Sequence, residues 1–370
     1  MTVNHWVGGS SPSQGAKYLI NQRVANFIRY PFFLPEKKHP KAPTCKLETG
    51  STSYRMLTFD LTQFRKSILT SQPALPEPTY YKNSCRPVKS TLKQHSIKNR
   101  SGVRLCLHQS EAAGACIGTV ILAHGMFSNY RTCRGLASYL ATQHYDCWLL
   151  DYQGHGLSDH PDHAPDFESM CLEDTESTLD FIQSSSDKPI WWLGHSGGGL
   201  AILMFLARNP DRQKKLAGII TLASQATDAG LSWQHRLVFR VSRILLKFTK
   251  TVPGKPLGLG PEKEYSSVLD QWLLWSIAKH WSGTDDFDYL AHMADIKIPT
   301  LTISGVGDSF IAPTSGCKKL HDKLASTDKT FLLLGKANGF LEDYTHDRLI
   351  SSRNASTDVW PLIGQWLLQK

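Results

Sequence analysis

No run of this 370-residue chain approaches the ~20 uninterrupted apolar residues that a membrane-spanning helix needs. The opening stretch, residues 1–15, is polar and glycine-rich and has no hydrophobic region of the kind that directs secretion, which points to a cytoplasmic protein. The eight cysteines form no C-x-x-C pair and no zinc-like spacing, so neither a structural metal nor a disulfide framework is expected. Several, Cys147 among them, lie in apolar strand-like runs, where a thiol acts as a small hydrophobe. There is no internal repeat, and no zinc-finger, RNP-type or helix-turn-helix signature. The net charge of +9 is therefore the one argument for nucleic acid. That charge is dispersed along the chain and reads as a basic, solvated surface, so nucleic acid is not expected as a partner.

What the chain does have is a 41% hydrophobic composition, ample for one large core. From Gly118 onward apolar strand-like runs alternate with helical periodicity. Strands are expected at Gly118–Ala123, Cys147–Asp151, Pro189–Leu193, Leu216–Ala223, Thr300–Ser304 and Thr330–Leu334. Helices are expected at Tyr130–Gln143, around Leu172–Ile182, at Ser196–Ala207 and at Asp358–Leu368. Such alternation predicts an α/β class fold, a mostly parallel sheet flanked by helices. It breaks after Ser224. Residues 226–294 carry Trp233, Trp272, Trp275 and Trp281 with a Pro/Gly-rich stretch and no strand signal, and read as a helical cap or lid inserted between core segments 91–225 and 295–370. Residues 1–90 stand outside the pattern as an N-terminal extension. In it Tyr18–Ile28 reads as a helix, and Pro-rich segments lie at 31–43 and 73–87.

Gly194-His195-Ser196-Gly197-Gly198 follows an apolar strand and opens an apolar helix. A serine on such a sharp strand-to-helix turn projects its hydroxyl as a nucleophile, and the flanking glycines let neighbouring elements close in. His124-Gly125-Met126-Phe127 ends the first core strand. The Met126 N–H with the Gly197 N–H would form an oxyanion hole. Asp308 lies just past a later strand, where a carboxylate can accept Nδ1–H of a histidine. Its rivals Asp285, Asp286 and Asp288 fall in the cap. Of 15 histidines, His346 follows the last strand and gives the chain order Ser, Asp, His. His124, His155 and His195 fit structural roles near the turn better than a catalytic one.

Taken in order, His124-Gly125, Asp151-Tyr152-Gln153-Gly154-His155-Gly156-Leu157-Ser158, the Gly194–Gly198 turn, Gly305-Val306-Gly307-Asp308 and His346 resemble the α/β-hydrolase superfamily. Within it the chain is similar to the monoglyceride lipase and lysophospholipase branch, and to acid-lipase-like proteins, over roughly residues 91–370. The resemblance implies the α/β-hydrolase fold and an acyl-enzyme mechanism on ester- or amide-type bonds with no cofactor. The spacing from Asp308 to His346 is longer than in compact members, so residues 335–343 are expected to form an extra loop. The leading expectation is a serine esterase or lipase acting on a small-molecule or lipid-like ester, with Ser196, His346 and Asp308 as nucleophile, base and orienting acid. An acyltransferase or thioesterase would use the same residues. An aminopeptidase would need cap carboxylates, for which Glu262 and Glu264 are available. A binding protein on the hydrolase scaffold would keep the fold without turnover. Oligomeric state has no signal in the sequence.

One cap feature points outward. Arg236, Arg240, Arg243, Lys247 and Lys250 recur at helical spacing, with Trp233, Leu237, Val241, Ile244, Leu245 and Phe248 on the other face. Such a helix can make peripheral contact with an anionic membrane, or cover the site with its apolar face while its charges are solvated.

Overall fold

The computed structural model describes residues 92–370. The expected N-terminal extension, its helix at Tyr18–Ile28 and its Pro-rich segments, with Cys45 and Cys85, lie outside the described residues. Eight strands form one sheet, six of them at the expected apolar runs. They are β1 (Lys93–Lys98), β2 (Arg104–Ser110), β3 (Gly118–Ala123), β4 (Tyr145–Asp151), β5 (Ile190–His195), β6 (Gly218–Leu222), β9 (Thr300–Gly305) and β10 (Lys329–Leu334), in the order β1-β2-β4-β3-β5-β6-β9-β10. From β4 to β10 every pairing is parallel. Strands β3, β5, β6 and β9 are buried along their whole length, as parallel strands covered on both faces must be.

The antiparallel β1–β2 pair extends the sheet by two strands for which the alternation pattern gave no sign. The sequence Lys93–Lys98 is polar and half-exposed because it forms an edge. Charged side chains there discourage pairing with other chains.

Helices cover both faces. On one lie α2 (Phe167–Ser185) and α3 (Gly197–Arg208), on the other α1 (Arg131–Thr142) and α10 (Ala355–Leu368). The Asp166 side chain caps α2 by accepting the Ser169 N–H at 2.7 Å. Helix α3 is apolar all round and buried from Gly197 to Ala207, the signature of a helix enclosed by its own domain.

Between β6 and β9 come α4 (Trp233–Leu246), β7 (Thr251–Pro253), α5 (Gly254–Leu257), β8 (Lys263–Tyr265), α6 (Ser266–Ala278) and α7 (Tyr289–His292). This corrects the expectation of an all-helical segment: β7 and β8 pair as a short antiparallel sheet. Two three-residue strands within a Pro/Gly-rich stretch are too short for any periodic signal. The chain then forms α8 (Thr314–Lys323) after β9 and α9 (Arg348–Ser351) before α10.

Register places the functional loops. Ala123 pairs with Gly194, His195 with Leu222 and Gly305 with Leu334, so the C-terminal ends of β3, β5, β6, β9 and β10 lie level at one rim. In parallel α/β sheets that rim is where ligands are held.

Candidate active site

Ser196 sits between β5 and α3 with φ 54° and ψ −118°, a backbone conformation that side-chain-bearing residues rarely adopt. The turn is pinned by Ser196 N–H donating to the Leu222 carbonyl at 2.8 Å. Its tightness explains the glycines. A Cβ on Gly194 would stand 2.2 Å from the Gly198 backbone, and one on Gly198 would stand 2.3 Å from the Ala123 carbonyl oxygen.

Asp308 follows β9 and is 4% exposed. Its Oδ2 lies 2.5 Å from His346 Nδ1, and its Oδ1 accepts the N–H groups of Ile311 at 3.2 Å and Ala312 at 3.0 Å. Burial opposes ionisation of Asp308, but the His346 ring and these amides hold its pKa below the ordinary carboxylate value. Burial likewise pulls His346 down, and the Asp308 carboxylate outweighs it, so the imidazole pKa is raised. The loop after β10 contains a short 3₁₀ turn, Lys336–Asn338. It closes back onto the loop after β9 through Gly307 N–H to the Tyr344 carbonyl at 3.0 Å, two residues before His346.

Ser196 and His346 border one cavity of about 400 Å³. No hydrogen bond joins the Ser196 hydroxyl to the His346 ring among the described residues. Such contacts are often long without substrate and tighten when it binds. Met126 borders the same cavity, and Gly197 opens α3 beside it; a Cβ on Gly197 would lie 3.6 Å from the Met126 nitrogen. Among the described residues neither the Met126 nor the Gly197 N–H has a protein hydrogen-bond partner. All five residues singled out in the sequence therefore gather at the strand rim. The rivals stand apart: Asp285 pairs with Arg208, Asp286 follows it on the exposed surface, and Asp288 caps α7.

The cavity wall is apolar, with Val238, Phe239, Leu269, Trp272, Leu273 and Phe310 among its lining. Of the four cap tryptophans only Trp272 reaches it. Trp275 and Trp281 pack on each other at 6.1 Å, and Trp233 is 66% exposed. The two-faced reading of α4 needs the same correction. Its inward column is Phe239, Ser242 and Leu246, whereas Leu237 and Ile244, with Trp233 and Phe248 at the ends, face solvent. Thus α4 presents three columns: buried, exposed apolar, and basic. Arg243 of the basic column is tied to Asp270 of α6 at 2.7 Å.

Three histidines near the turn hold the frame. His124 Nδ1–H donates to the Gly125 carbonyl at 2.7 Å, and Nε2 accepts the Tyr152 N–H at 3.3 Å. Burial pushes this ring down to about 4, so it stays neutral. His155 faces two acceptors, the Gln153 carbonyl at 3.1 Å and Glu264 at 3.3 Å. Burial opposes its charge, yet these partners raise it to about 9. His195, buried and lowered to about 4 by desolvation and then by His346, donates Nε2–H to the His346 carbonyl at 3.1 Å. That last tie was invisible in the sequence, where residues 195 and 346 are 151 positions apart.

Sheet pairing also brings Cys106, His108 and Asp151 together, with ligand-type atoms within 4.8 Å of one another. No spacing in the sequence signals this, because β2 and β4 meet only in the fold. Asp151 is already engaged, accepting from Tyr130 N–H at 2.8 Å, Leu157 N–H at 3.0 Å and His108 Nε2 at 2.7 Å. The donor set reads as a bracing network. All six cysteines among the described residues are free thiols.

Residues 114–268 match the serine aminopeptidase S33 family. Over 122 residues, 32% of the chain, the protein is 32% identical to the uncharacterized protein YfhR of Escherichia coli strain K12. It covers 41% of that relative, less than half its length. Among solved structures it is similar to a soluble variant of monoglyceride lipase from Saccharomyces cerevisiae in complex with a substrate analog. The identity there is 16%, with a TM-score of 0.59 over 80% of this chain and 99% of that one. It is also similar to a monoacylglycerol lipase of Paleococcus ferrophilus, at 17% identity and a TM-score of 0.52 over 71% and 98%. The architecture shared with these structures is the α/β-hydrolase fold.

Proposed function

We propose that this α/β hydrolase cleaves carboxylic esters of apolar acyl groups through an acyl-enzyme on Ser196. The observation that carries the reading is the convergence of Ser196 and the 2.5 Å His346–Asp308 pair on one apolar cavity. In the mechanism, neutral His346 takes the Ser196 proton as Oγ attacks the carbonyl carbon. The oxyanion is received by the free N–H groups of Met126 and Gly197. The imidazolium, steadied by Asp308, then protonates the leaving alcohol. Water repeats the sequence on the acyl-enzyme and returns Ser196. The protein's own residues supply every group this chemistry needs.

The cavity wall supports an acyl chain as the occupant, since each buried methylene is worth ~0.8 kcal/mol. The cap carboxylates that would hold a free amino terminus are turned elsewhere. Glu264 is fully buried against His155, and Glu262 bonds the Asn129 amide. This favours an ester over an amino-terminal peptide substrate, despite the aminopeptidase family matched. We extend the reading to peripheral contact with anionic lipid surfaces through α4, on which an exposed apolar column lies beside Arg236, Arg240 and Lys247. Among the described residues no helix is long and apolar enough to cross a membrane.

The test is a fluorophosphonate probe with a panel of p-nitrophenyl esters. The native protein should label and hydrolyse. Ser196→Ala should do neither above a residual rate, while keeping its circular dichroism. Labelling that survives in Ser196→Ala would sink the assignment.

A further inference from the structure

The loop that carries the Met126 N–H is held from the cap rather than from the core alone. Phe127, one residue on, has φ 59°, a left-handed conformation unfavourable for a bulky residue. Both polar ends of Phe127 are fastened to the segment around β8. Its N–H donates to Glu264 Oε2 at 3.1 Å, and its carbonyl accepts the Glu262 N–H at 3.0 Å. Gly260 makes this approach feasible, because a Cβ there would lie 2.2 Å from the Phe127 carbonyl oxygen. Glu264 is 0% exposed; its Oε1 accepts the Tyr265 N–H at 2.9 Å and its Oε2 meets His155 Nε2 at 3.3 Å. One buried carboxylate thus joins the cap, the loop after β4 and the loop after β3.

We infer that Glu264 is a positioning residue that holds the Met126 N–H in its oxyanion-binding orientation by fastening Phe127. The inference rests on the esterase reading above. It makes the β8 end of the cap part of the catalytic frame, fixed whatever the rest of the cap does. Removing the acceptor leaves a buried N–H unpaired beside a strained residue, and the loop gains by relaxing away.

The experiment compares Glu264→Gln, Glu264→Asp and Glu264→Leu with native protein. The readouts are kcat and KM on p-nitrophenyl octanoate, and inhibition by an octyl trifluoromethyl ketone, whose serine adduct carries the same oxyanion. Glu264→Leu should lose kcat on the order of a hundredfold, the usual effect of one oxyanion donor, with KM little changed and ketone affinity falling in parallel. Glu264→Gln keeps one oxygen, which can still receive the Phe127 N–H, but it leaves its NH₂ against the Tyr265 N–H, so it should recover only part of the loss. Glu264→Asp keeps the charge but withdraws it by one methylene and should lose kcat. It therefore serves if the leucine variant does not fold. Asp270→Asn, elsewhere in the cap, should match native protein. A raised KM with kcat and ketone affinity intact would overturn the inference and leave Glu264 a shaper of the pocket. So would native kcat in both Glu264→Leu and Glu264→Asp. Native protein without esterase activity would instead overturn the function proposed above and this inference with it.

Discussion

Replacing Asp308 by Asn changes one atom in a buried pair and tests the acid–base arrangement most directly. Asp308 Oδ2 receives His346 Nδ1–H at 2.5 Å, and its other oxygen is held by two backbone amides. Those amides need an acceptor, so in Asp308→Asn they retain the side-chain oxygen. The new NH₂ group then turns toward His346. An NH₂ can only donate, which forces Nδ1 to be the acceptor and puts the ring proton on Nε2, the wrong nitrogen for a general base. Loss of turnover from such a tautomer error is on the order of 10⁴-fold. The pH profile carries a second, independent signature. Burial lowers the His346 pKa and the Asp308 charge more than restores it, so the native limb should lie above the ordinary histidine value of about 6.5. Activity needs neutral His346 and should rise with pH through that limb. In Asp308→Asn the burial remains and the compensating charge is gone, so the residual activity should titrate at lower pH. Steady-state hydrolysis of p-nitrophenyl butyrate from pH 4.5 to 9, with denaturation midpoints for both proteins, reads both effects. An unshifted limb with kcat within a factor of ten of native would refute the pairing and move the base to another histidine.

Gly198→Ala should unfold or inactivate the protein, since its Cβ would meet three backbone atoms of Ala123 and His124 within 2.8 Å; recovery of native Tm and rate would show that the elbow is looser than described. Catalytic efficiency should climb with acyl length and plateau when the cavity is full, and equal cleavage of acetyl and octanoyl esters would reject the apolar acyl site. The double variant Trp233→Ser, Leu237→Ser should keep activity on soluble short esters and lose binding to anionic vesicles in a flotation assay; unchanged flotation would remove the surface role given to α4. His155 is raised above its unfolded value, so its contribution to stability is complete below about pH 6.5 and is lost as pH rises toward 9, and thermal melts of His155→Gln should lack that alkaline decline.

Much of the rim was legible because its chemistry is local. A serine between glycines after an apolar run can be read within ten residues, as can an aspartate or a histidine just past a strand. Strand register then brings these short signals level, and the order Ser196, Asp308, His346 follows the order of the strands. Features settled by distant pairing were not legible. The edge strand β1 is a polar run, and β2 carries only the short apolar stretch Leu105-Cys106-Leu107. The tie from His195 to the His346 carbonyl and the meeting of Cys106, His108 and Asp151 depend on elements far apart in sequence. Helix α4 was misread for a different reason. Periodicity finds a helix and sorts its residues by polarity, but it assumes that the apolar face is the buried one. Here the buried column includes Ser242, and apolar residues also occupy a solvent-facing column, so polarity alone could not orient the helix.

The placement of buried carboxyl groups follows one physical rule. Irregular backbone inside a protein has N–H groups that no helix or strand satisfies, and each needs an acceptor. Three buried carboxylates supply them where β3 and β4 end. Asp151 takes the N–H groups of Tyr130 and Leu157, Asp174 takes that of Gln153 together with the Asn99 amide, and Glu264 takes that of Phe127. Each acceptor comes from a different element: the end of β4, the middle of α2, and β8 in the cap. The two loops are therefore fixed from three directions, while the strand interiors remain apolar. A buried carboxylate that receives several amide bonds is costly to lose, because its removal strands every donor at once. The two loops so fixed are the one that would present the Met126 N–H in the function proposed above and the one behind it. The outer apolar column of α4 is exposed to solvent. The β8 end of the cap is joined to the loop after β3, while α4 divides across its width, with Phe239 and Ser242 lining the cavity and Leu237 and Ile244 facing solvent.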